Sequence, residues 1–75
     1  MPINYKIIID GTVIDVEANG RAKSVKMAVE KIYGAGTASD VTFSKFVTGG
    51  VAYKVTVKDV GVIEVIVQSH PGATW

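Results

Sequence analysis

Apolar and polar residues alternate along most of the chain, and one stretch instead repeats its apolar residues every three to four positions. Alternation is typical of β-strands that bury one face, and the longer period is typical of an amphipathic helix. The alternating stretches cover 3–18 and 41–68, and the helical stretch covers 20–33. The pattern therefore predicts the order β-β-α-β-β-β. This order belongs to the α+β class, with a twisted antiparallel sheet and one helix packed on one face.

The first alternating stretch contains a strong turn signal. Asp10-Gly11 separates two runs of β-branched residues, and Asp-Gly is a preferred pair for a two-residue type I′ turn because both positions need positive φ. A turn at these residues places Lys6 opposite Asp15, and opposite charges across a strand pair are mildly stabilising. We therefore expect a β-hairpin over 3–18.

The helical stretch is bounded by capping signals. Asn19 is the expected N-cap, because its side-chain oxygen can accept a hydrogen bond from a free amide of the first turn. Gly34 is expected to end the helix, since glycine adopts the left-handed cap conformation at little cost. The apolar stripe consists of Ala22, Val25, Ala28, Val29 and Ile32.

The third segment, 41–68, reads as a three-stranded meander. Gly49-Gly50 is expected to form a two-residue turn, and 59–61 is expected to form a three-residue loop. The first turn sets Lys45 directly opposite Lys54, and like charges across a strand pair are destabilising. The predicted inward face carries Phe46, Val51, Tyr53, Val55, Val57, Ile63, Val65 and Val67.

The opposite face of the predicted sheet is unusually apolar. A one-sided antiparallel sheet normally alternates its core residues with polar ones. Here the outward positions include Ile8, Val13, Phe43, Val47, Ala52, Val62 and Ile66. Contiguous apolar surface of several hundred Å² commonly marks a contact with another molecule. The residues predicted to bind a partner are Ile8, Phe43, Lys45, Lys54, Lys58 and Ile66.

Length and composition narrow the functional classes. A chain of 75 residues with no cysteine has room for one domain, 1–75, and has neither disulfides nor thiolate metal sites. Its thin core would gain from association. Eight basic and seven acidic residues give a net charge of +1, which attracts neither nucleic acid nor membranes in bulk. The first residues lack the pattern of a signal peptide, and no apolar run approaches the roughly 18 residues of a membrane span. A cytoplasmic or virion location is therefore expected.

No arrangement of residues typical of catalysis is found in the sequence. The single histidine, His70, stands in a tail over 69–75 that is rich in strand-breaking residues, and no sharp-turn motif presents a serine or threonine nucleophile. Asp10, Asp40 and Asp59 fall at turns or strand starts, where short polar side chains cap the backbone. We expect a protein that is not an enzyme and that holds no metal or cofactor.

The element order, with a hairpin that ends in Val16-Glu17-Ala18 and a helix that follows, resembles several small α+β families. They include small phage-encoded inhibitors of bacterial defence and a class of archaeal ribosomal proteins. The leading hypothesis is a non-catalytic interaction module that binds a protein partner, or a second copy of itself, through the outer sheet face or an edge strand. If such a domain is phage-encoded, an inhibitor of a host complex or a minor virion component is expected. The alternative is nucleic-acid binding through a Lys/Phe sheet face, because aromatic rings among lysines resemble a base-stacking platform.

Overall fold

The computed structural model describes residues 2–68. The predicted tail over 69–75 lies outside the described residues. The elements follow the predicted order β-β-α-β-β-β, and the strands form one antiparallel sheet in the order β2-β1-β5-β4-β3. Their bounds are β1 (Ile3–Ile9), β2 (Thr12–Ala18), α1 (Arg21–Tyr33), β3 (Ala38–Val47), β4 (Gly50–Val57) and β5 (Gly61–Gln68). The fold is the small α+β domain that the periodicity predicts.

The first hairpin confirms its predicted register. Asp10 and Gly11 both have positive φ, at 50° and 79°, as a type I′ turn requires. Lys6 pairs with Asp15 across β1 and β2, and Ile7 pairs with Ile14. Because β1 also pairs with β5, the hairpin is joined to the meander and β2 is left as one edge of the sheet.

The helix forms where predicted, but its N-cap prediction is wrong. The N-cap is Gly20 rather than Asn19, in extended backbone and with no side-chain cap hydrogen bond. The first intrahelical bond runs from the Ser24 amide to the Gly20 carbonyl at 3.0 Å. At the other end the amide of Gly34 donates to the Glu30 carbonyl at 3.0 Å. No helix in the described range is long and apolar enough to cross a membrane.

The buried stripe of α1 is shorter than the predicted one. Val25, Ala28 and Val29 are fully buried, but Ala22 in the first turn is exposed and Ile32 in the last turn is 45% exposed. The helix therefore packs on the sheet through its middle turns. The fourth buried position is Ser24, whose hydroxyl donates to the Arg21 carbonyl at 2.6 Å and so stays hydrogen-bonded inside the protein.

The core lies between α1 and the sheet face that α1 covers, called here the helix side. Its fully buried aliphatic side chains include Val25 and Val29 of the helix and Ile7, Val55 and Val65 of three neighbouring strands. Full burial of one such side chain stabilises the fold by about 1.5–3 kcal/mol. The central strands β1, β5 and β4 contribute most of the buried strand side chains of this core, and the opposite sheet face remains outside it.

The turn between β3 and β4 differs from the prediction. The two turn residues are Thr48 and Gly49, because Val47 pairs with Gly50. This turn begins one residue earlier than the predicted Gly49-Gly50 turn and displaces the pairing by two residues. Lys45 therefore pairs with Ala52, and the predicted opposition of Lys45 and Lys54 is wrong.

The turn between β4 and β5 is displaced in the same way. Its three residues are 58–60, because Val57 pairs with Gly61. Asp59 takes the left-handed conformation within this turn, with φ 64°. The pairing of β4 with β5 is again displaced by two residues. Because successive side chains of a strand alternate between the two faces, this displacement leaves every side chain on its predicted face. The predicted inward positions on β4 and β5 are therefore correct although their partners are not.

Strand β3 contains two irregularities that were not predicted, and Asp40, at the first of them, has a positive φ of 52°. The strand begins at Ala38, three residues before the predicted start at Val41, and its pairing with β4 shifts between Ser39 and Thr42 and again between Phe43 and Lys45. Such shifts are typical of β-bulges, which place two residues opposite one and bend the strand. The second shift turns Phe43 to the opposite side of the sheet from the one that strict alternation predicts.

Candidate functional site

The sheet face opposite α1, called here the outer face, is defined by the pairing register. Paired residues on neighbouring strands point to the same side, and alternate residues of each strand point to the face away from the helix. The outer face comprises Asn4, Lys6 and Ile8; Val13, Asp15 and Glu17; Val62, Glu64, Ile66 and Gln68; Gly50, Ala52, Lys54 and Thr56; and Ser39, Thr42, Lys45 and Val47.

An aliphatic row crosses the outer face through four adjacent strands. It consists of Val13, Ile8, Ile66 and Ala52, each paired with the next in register. Val13 is 51% exposed, and Ile8 and Ile66 are half-buried. Ala52 is fully buried although it does not belong to the core cluster under the helix. Three side chains of the row, Val13, Ile8 and Ile66, therefore leave apolar surface on the sheet face that α1 does not cover.

Charged residues flank the aliphatic row and are partly matched within the chain. The Lys6 Nζ lies 2.7 Å from the Asp15 Oδ1, with both side chains more than half exposed. Lys54 pairs in register with Glu64, and the Ser44 hydroxyl donates to the Glu64 Oε2 at 3.1 Å. Opposite charges across strands stabilise a sheet slightly. Because Lys45 pairs with Ala52 and Lys54 pairs with Glu64, the predicted opposition of two lysines does not occur.

The predicted basic and aromatic platform is not assembled. Lys45 and Lys54 lie on the outer face, Lys58 lies in the turn between β4 and β5, and Phe43 lies on the helix side, where it pairs with Tyr53. The bulge before Lys45 is the physical reason. Of the six predicted partner-binding residues, the structure brings four onto the outer face: Ile8, Lys45, Lys54 and Ile66.

A group of three aromatic side chains on the helix side was not predicted. The Phe43 ring lies 5.2 Å from the Phe46 ring and 6.2 Å from the Tyr53 ring, both in edge-to-face geometry. Phe43 is 53% exposed and Phe46 is 67% exposed, whereas Tyr53 is buried in the core, so the two phenylalanine rings of this aromatic cluster are left open to solvent. Under strict alternation residues 43 and 46 point to opposite faces, and only the bulge between them brings the two rings together.

The two edges of the sheet are both interrupted. In a hairpin closed by a two-residue turn, hydrogen-bonded pairs of residues alternate with non-hydrogen-bonded pairs. Asp15 belongs to a non-hydrogen-bonded pair, so its backbone N–H and C=O groups point away from β1. The Lys31 Nζ donates to this Asp15 carbonyl at 3.1 Å, so a helix side chain occupies part of the β2 edge. The β3 edge is interrupted by its two register shifts. Charged side chains and bulges at edges discourage the addition of another strand.

Comparisons with family models, curated proteins and solved structures find no match for this chain. Within residues 2–68, no three His, Asp or Glu side chains lie close enough together to hold a metal ion. His70 lies outside the described residues. The interpretation of function therefore depends on the surfaces of the sheet.

Proposed function

We propose that the protein is a non-catalytic interaction module and that it binds another protein chain through its outer face. The observation that carries the proposal is the aliphatic row. An antiparallel sheet that packs a helix on one face normally presents polar residues on the other, but Val13 is 51% exposed here and Ile8 and Ile66 keep part of their surface in water. Burying this surface against a partner would be favourable.

The surroundings of the row support a protein partner. Protein interfaces commonly combine an apolar centre with a polar, charged rim. On the outer face the aliphatic row is bordered by the Lys6–Asp15 ion pair on one side and by the Lys54 and Glu64 pair on the other. This arrangement has the apolar centre and the charged border of a small interface.

The face is a better candidate than an edge strand. Strand addition needs a continuous row of free backbone groups. At the β2 edge Lys31 already occupies the Asp15 carbonyl, and at the β3 edge the pairing is shifted twice within ten residues. The proposal therefore assigns binding to side chains of the outer face.

Two variants on the outer face and one matched control test the proposal. Ile66→Asp introduces a charge into the centre of the aliphatic row, and Val13→Asp does so at its exposed end. Val60→Asp makes the same chemical change in the turn between β4 and β5, where Val60 is 56% exposed. All three are first checked for cooperative thermal unfolding. Val13→Asp serves as the test if Ile66→Asp does not fold.

The measurement has two arms: sedimentation over a concentration series, and binding to a purified partner first captured from the cells that encode the protein. We expect association in at least one arm, lost with Ile66→Asp or Val13→Asp and retained with Val60→Asp. A folded wild-type protein that associates in neither arm would overturn the proposal. So would association that the outer-face variants leave unchanged. Loss on Phe43→Ala alone would assign binding to the aromatic cluster instead.

A further inference from the structure

We infer that Asn19 is a site of spontaneous deamidation, where the chain converts an asparagine into an acidic residue by reaction with water alone. The site is independent of the outer face. It consists of the exposed Asn19, which follows β2, and of Gly20, which caps α1. The inference depends on the chemistry of an asparagine followed by glycine and on how the junction between β2 and α1 presents this pair to water.

The reaction joins the main chain of Gly20 to the side chain of Asn19. The Gly20 amide nitrogen loses its proton and attacks the Asn19 Cγ, which expels ammonia and closes a succinimide ring. Water then opens the ring at either of its carbonyl carbons, and the Gly20 nitrogen regains a proton. Opening at Cγ gives aspartate, and opening at the backbone carbonyl carbon gives isoaspartate. Either route consumes one water, releases one ammonia and leaves a new carboxyl group in the covalent structure.

The attacking nitrogen of Gly20 is sterically accessible. A side chain on this residue would crowd the amide, whereas glycine has no Cβ and allows the close approach of another group. A Cβ built at Gly20 would meet no heavy atom within 4 Å outside the residue and its two chain neighbours. The space beside this residue is therefore open in the folded protein, and no packed element opposes ring closure on that side.

The pair is also not held by hydrogen bonds that ring closure would have to break. Within residues 2–68, neither the Gly20 amide nor the Asn19 side chain has a hydrogen-bond partner. The last register pair of β2 is Ala18 with Ile3, so Asn19 lies beyond the strand pairing. Only the Gly20 carbonyl is engaged, since it accepts from the Ser24 amide at 3.0 Å. Backbone without such bonds rearranges at little cost in free energy.

The N-terminus of α1 stabilises the negative charge that forms during the attack. This charge develops on the Gly20 nitrogen and then on the side-chain oxygen of Asn19. The amides of Ala22 and Lys23 precede the first intrahelical bond and have no acceptor within the helix. The positive end of the helix dipole favours negative charge beside it, and α1 has no acidic residue in its first turn to oppose that charge.

The other asparagine of the chain is an internal control. Asn4 lies in β1, where it pairs with Glu17, and it is followed by Tyr5, whose side chain is buried. Ring closure at Asn4 would require rotation of the backbone in a paired strand, which opens rarely. The Cβ of Tyr5 would in addition crowd the attacking nitrogen. We therefore expect the folded chain to deamidate at Asn19 and not at Asn4.

Deamidation changes the charge of the whole protein as well as that of the junction. With one more carboxylate the acidic residues equal the eight basic ones, and the formal net charge falls from +1 to zero. Proteins whose net charge is near zero associate more readily. The deamidated form is therefore expected to be the less soluble one, and the binding measurements proposed above need protein with Asn19 intact.

Incubation of the purified chain in mildly alkaline buffer, followed by peptide mapping with mass spectrometry, tests the site. We expect a product at Asn19 with the mass gain of NH2 replaced by OH, and its charge should match that of an Asn19→Asp variant. The folded chain should react within about tenfold of the rate of the same chain unfolded in urea. Gly20→Ala, once shown to unfold cooperatively, should lower the rate about tenfold.

Three outcomes would overturn the inference. The first is an Asn19 that stays intact in the folded chain while the urea-unfolded chain reacts, because the junction would then protect the pair. The second is deamidation of Asn4 in the folded chain at the same rate as Asn19. The third is a Gly20→Ala variant that reacts as fast as the wild type. If Gly20→Ala does not fold, Asn19→Gln replaces it: we expect the acidic product to disappear, and its persistence would place the reaction elsewhere in the chain.

Discussion

Gly50 provides the sharpest test of the pairing register. It is buried, pairs with Val47 on one side and Gln68 on the other, and lies in extended backbone rather than in a turn. A Cβ added at Gly50 would overlap the carbonyl oxygen of Val67, and would lie 3.0 Å from the Ile66 Cγ2 and 3.1 Å from the Val67 carbonyl carbon. Since the obstacle is mainly backbone of the central strand β5, it cannot be removed by rotating a side chain.

The magnitude follows from this contact. Gly50→Ala must force β4 away from β5 or distort both, which is overpacking against backbone and is expected to destabilise the fold by about 3 kcal/mol. Gly49→Ala is the matched control, because its Cβ would meet nothing within 4 Å. Its φ of 82° then costs about 1 kcal/mol for a residue with a Cβ. A domain of this length has a free energy of unfolding of about 4–11 kcal/mol.

The assay is urea unfolding followed by far-ultraviolet circular dichroism. With a slope of about 1 kcal/mol per M urea, Gly50→Ala should lower the midpoint by about 3 M and Gly49→Ala by about 1 M. If Gly49 and Gly50 instead formed the turn together, both positions would lie in open loop backbone and the two substitutions would have similar, small effects. Equal midpoints for the two variants, within about 0.5 M, would refute the register described here.

Three further experiments test local interactions. Gly20→Asp should raise the free energy of unfolding by about 1 kcal/mol, because it supplies a missing N-cap acceptor and a negative charge at the helix N-terminus; an unchanged midpoint in urea would contradict this. A double-mutant cycle on Lys6→Ala and Asp15→Ala should give a coupling of about 0.5 kcal/mol that disappears in 1 M salt, and a coupling insensitive to salt would contradict an exposed ion pair. Lys31→Ala should change stability by less than about 0.5 kcal/mol but accelerate aggregation measured by light scattering, because it frees the Asp15 carbonyl at the β2 edge. Equal aggregation rates would show that Lys31 does not protect this edge.

The sequence correctly predicts those parts of the fold for which the residues favour one conformation over all others. Asp10-Gly11 is the one pair between its two strands that suits two successive positive φ angles, so the turn and the register of β1 and β2 follow together. The helical period likewise locates α1 to within one residue at its N-terminus. Its N-cap could not be predicted from propensity, because Asn19 is the better capping residue and Gly20 nevertheless occupies the position.

The pairing register of the three-stranded meander is harder to predict from the sequence, because two overlapping pairs of residues could form its first turn. Both Thr48-Gly49 and Gly49-Gly50 are acceptable two-residue turns, and the choice moves the pairing by two residues without changing any face. The face of Phe43 depends instead on a bulge, and nothing in the residues from Phe43 to Phe46 distinguishes a bulged strand from a regular one. The sequence therefore predicts the aliphatic part of the outer face, but it places an aromatic residue there that belongs to the helix side.

The interruptions at the two sheet edges also limit how many chains could associate. A two-fold dimer that uses the outer face of both copies is closed, because neither copy retains that face for a third chain. Growth beyond the dimer would then need the sheet edges. Those edges carry Lys31 on the Asp15 carbonyl and the two register shifts of β3, and both features disfavour strand addition. If the partner is a second copy of this chain, association should therefore stop at two chains in the wild type. Open-ended growth should appear first in the Lys31→Ala variant, where an edge becomes available while the outer face is unchanged.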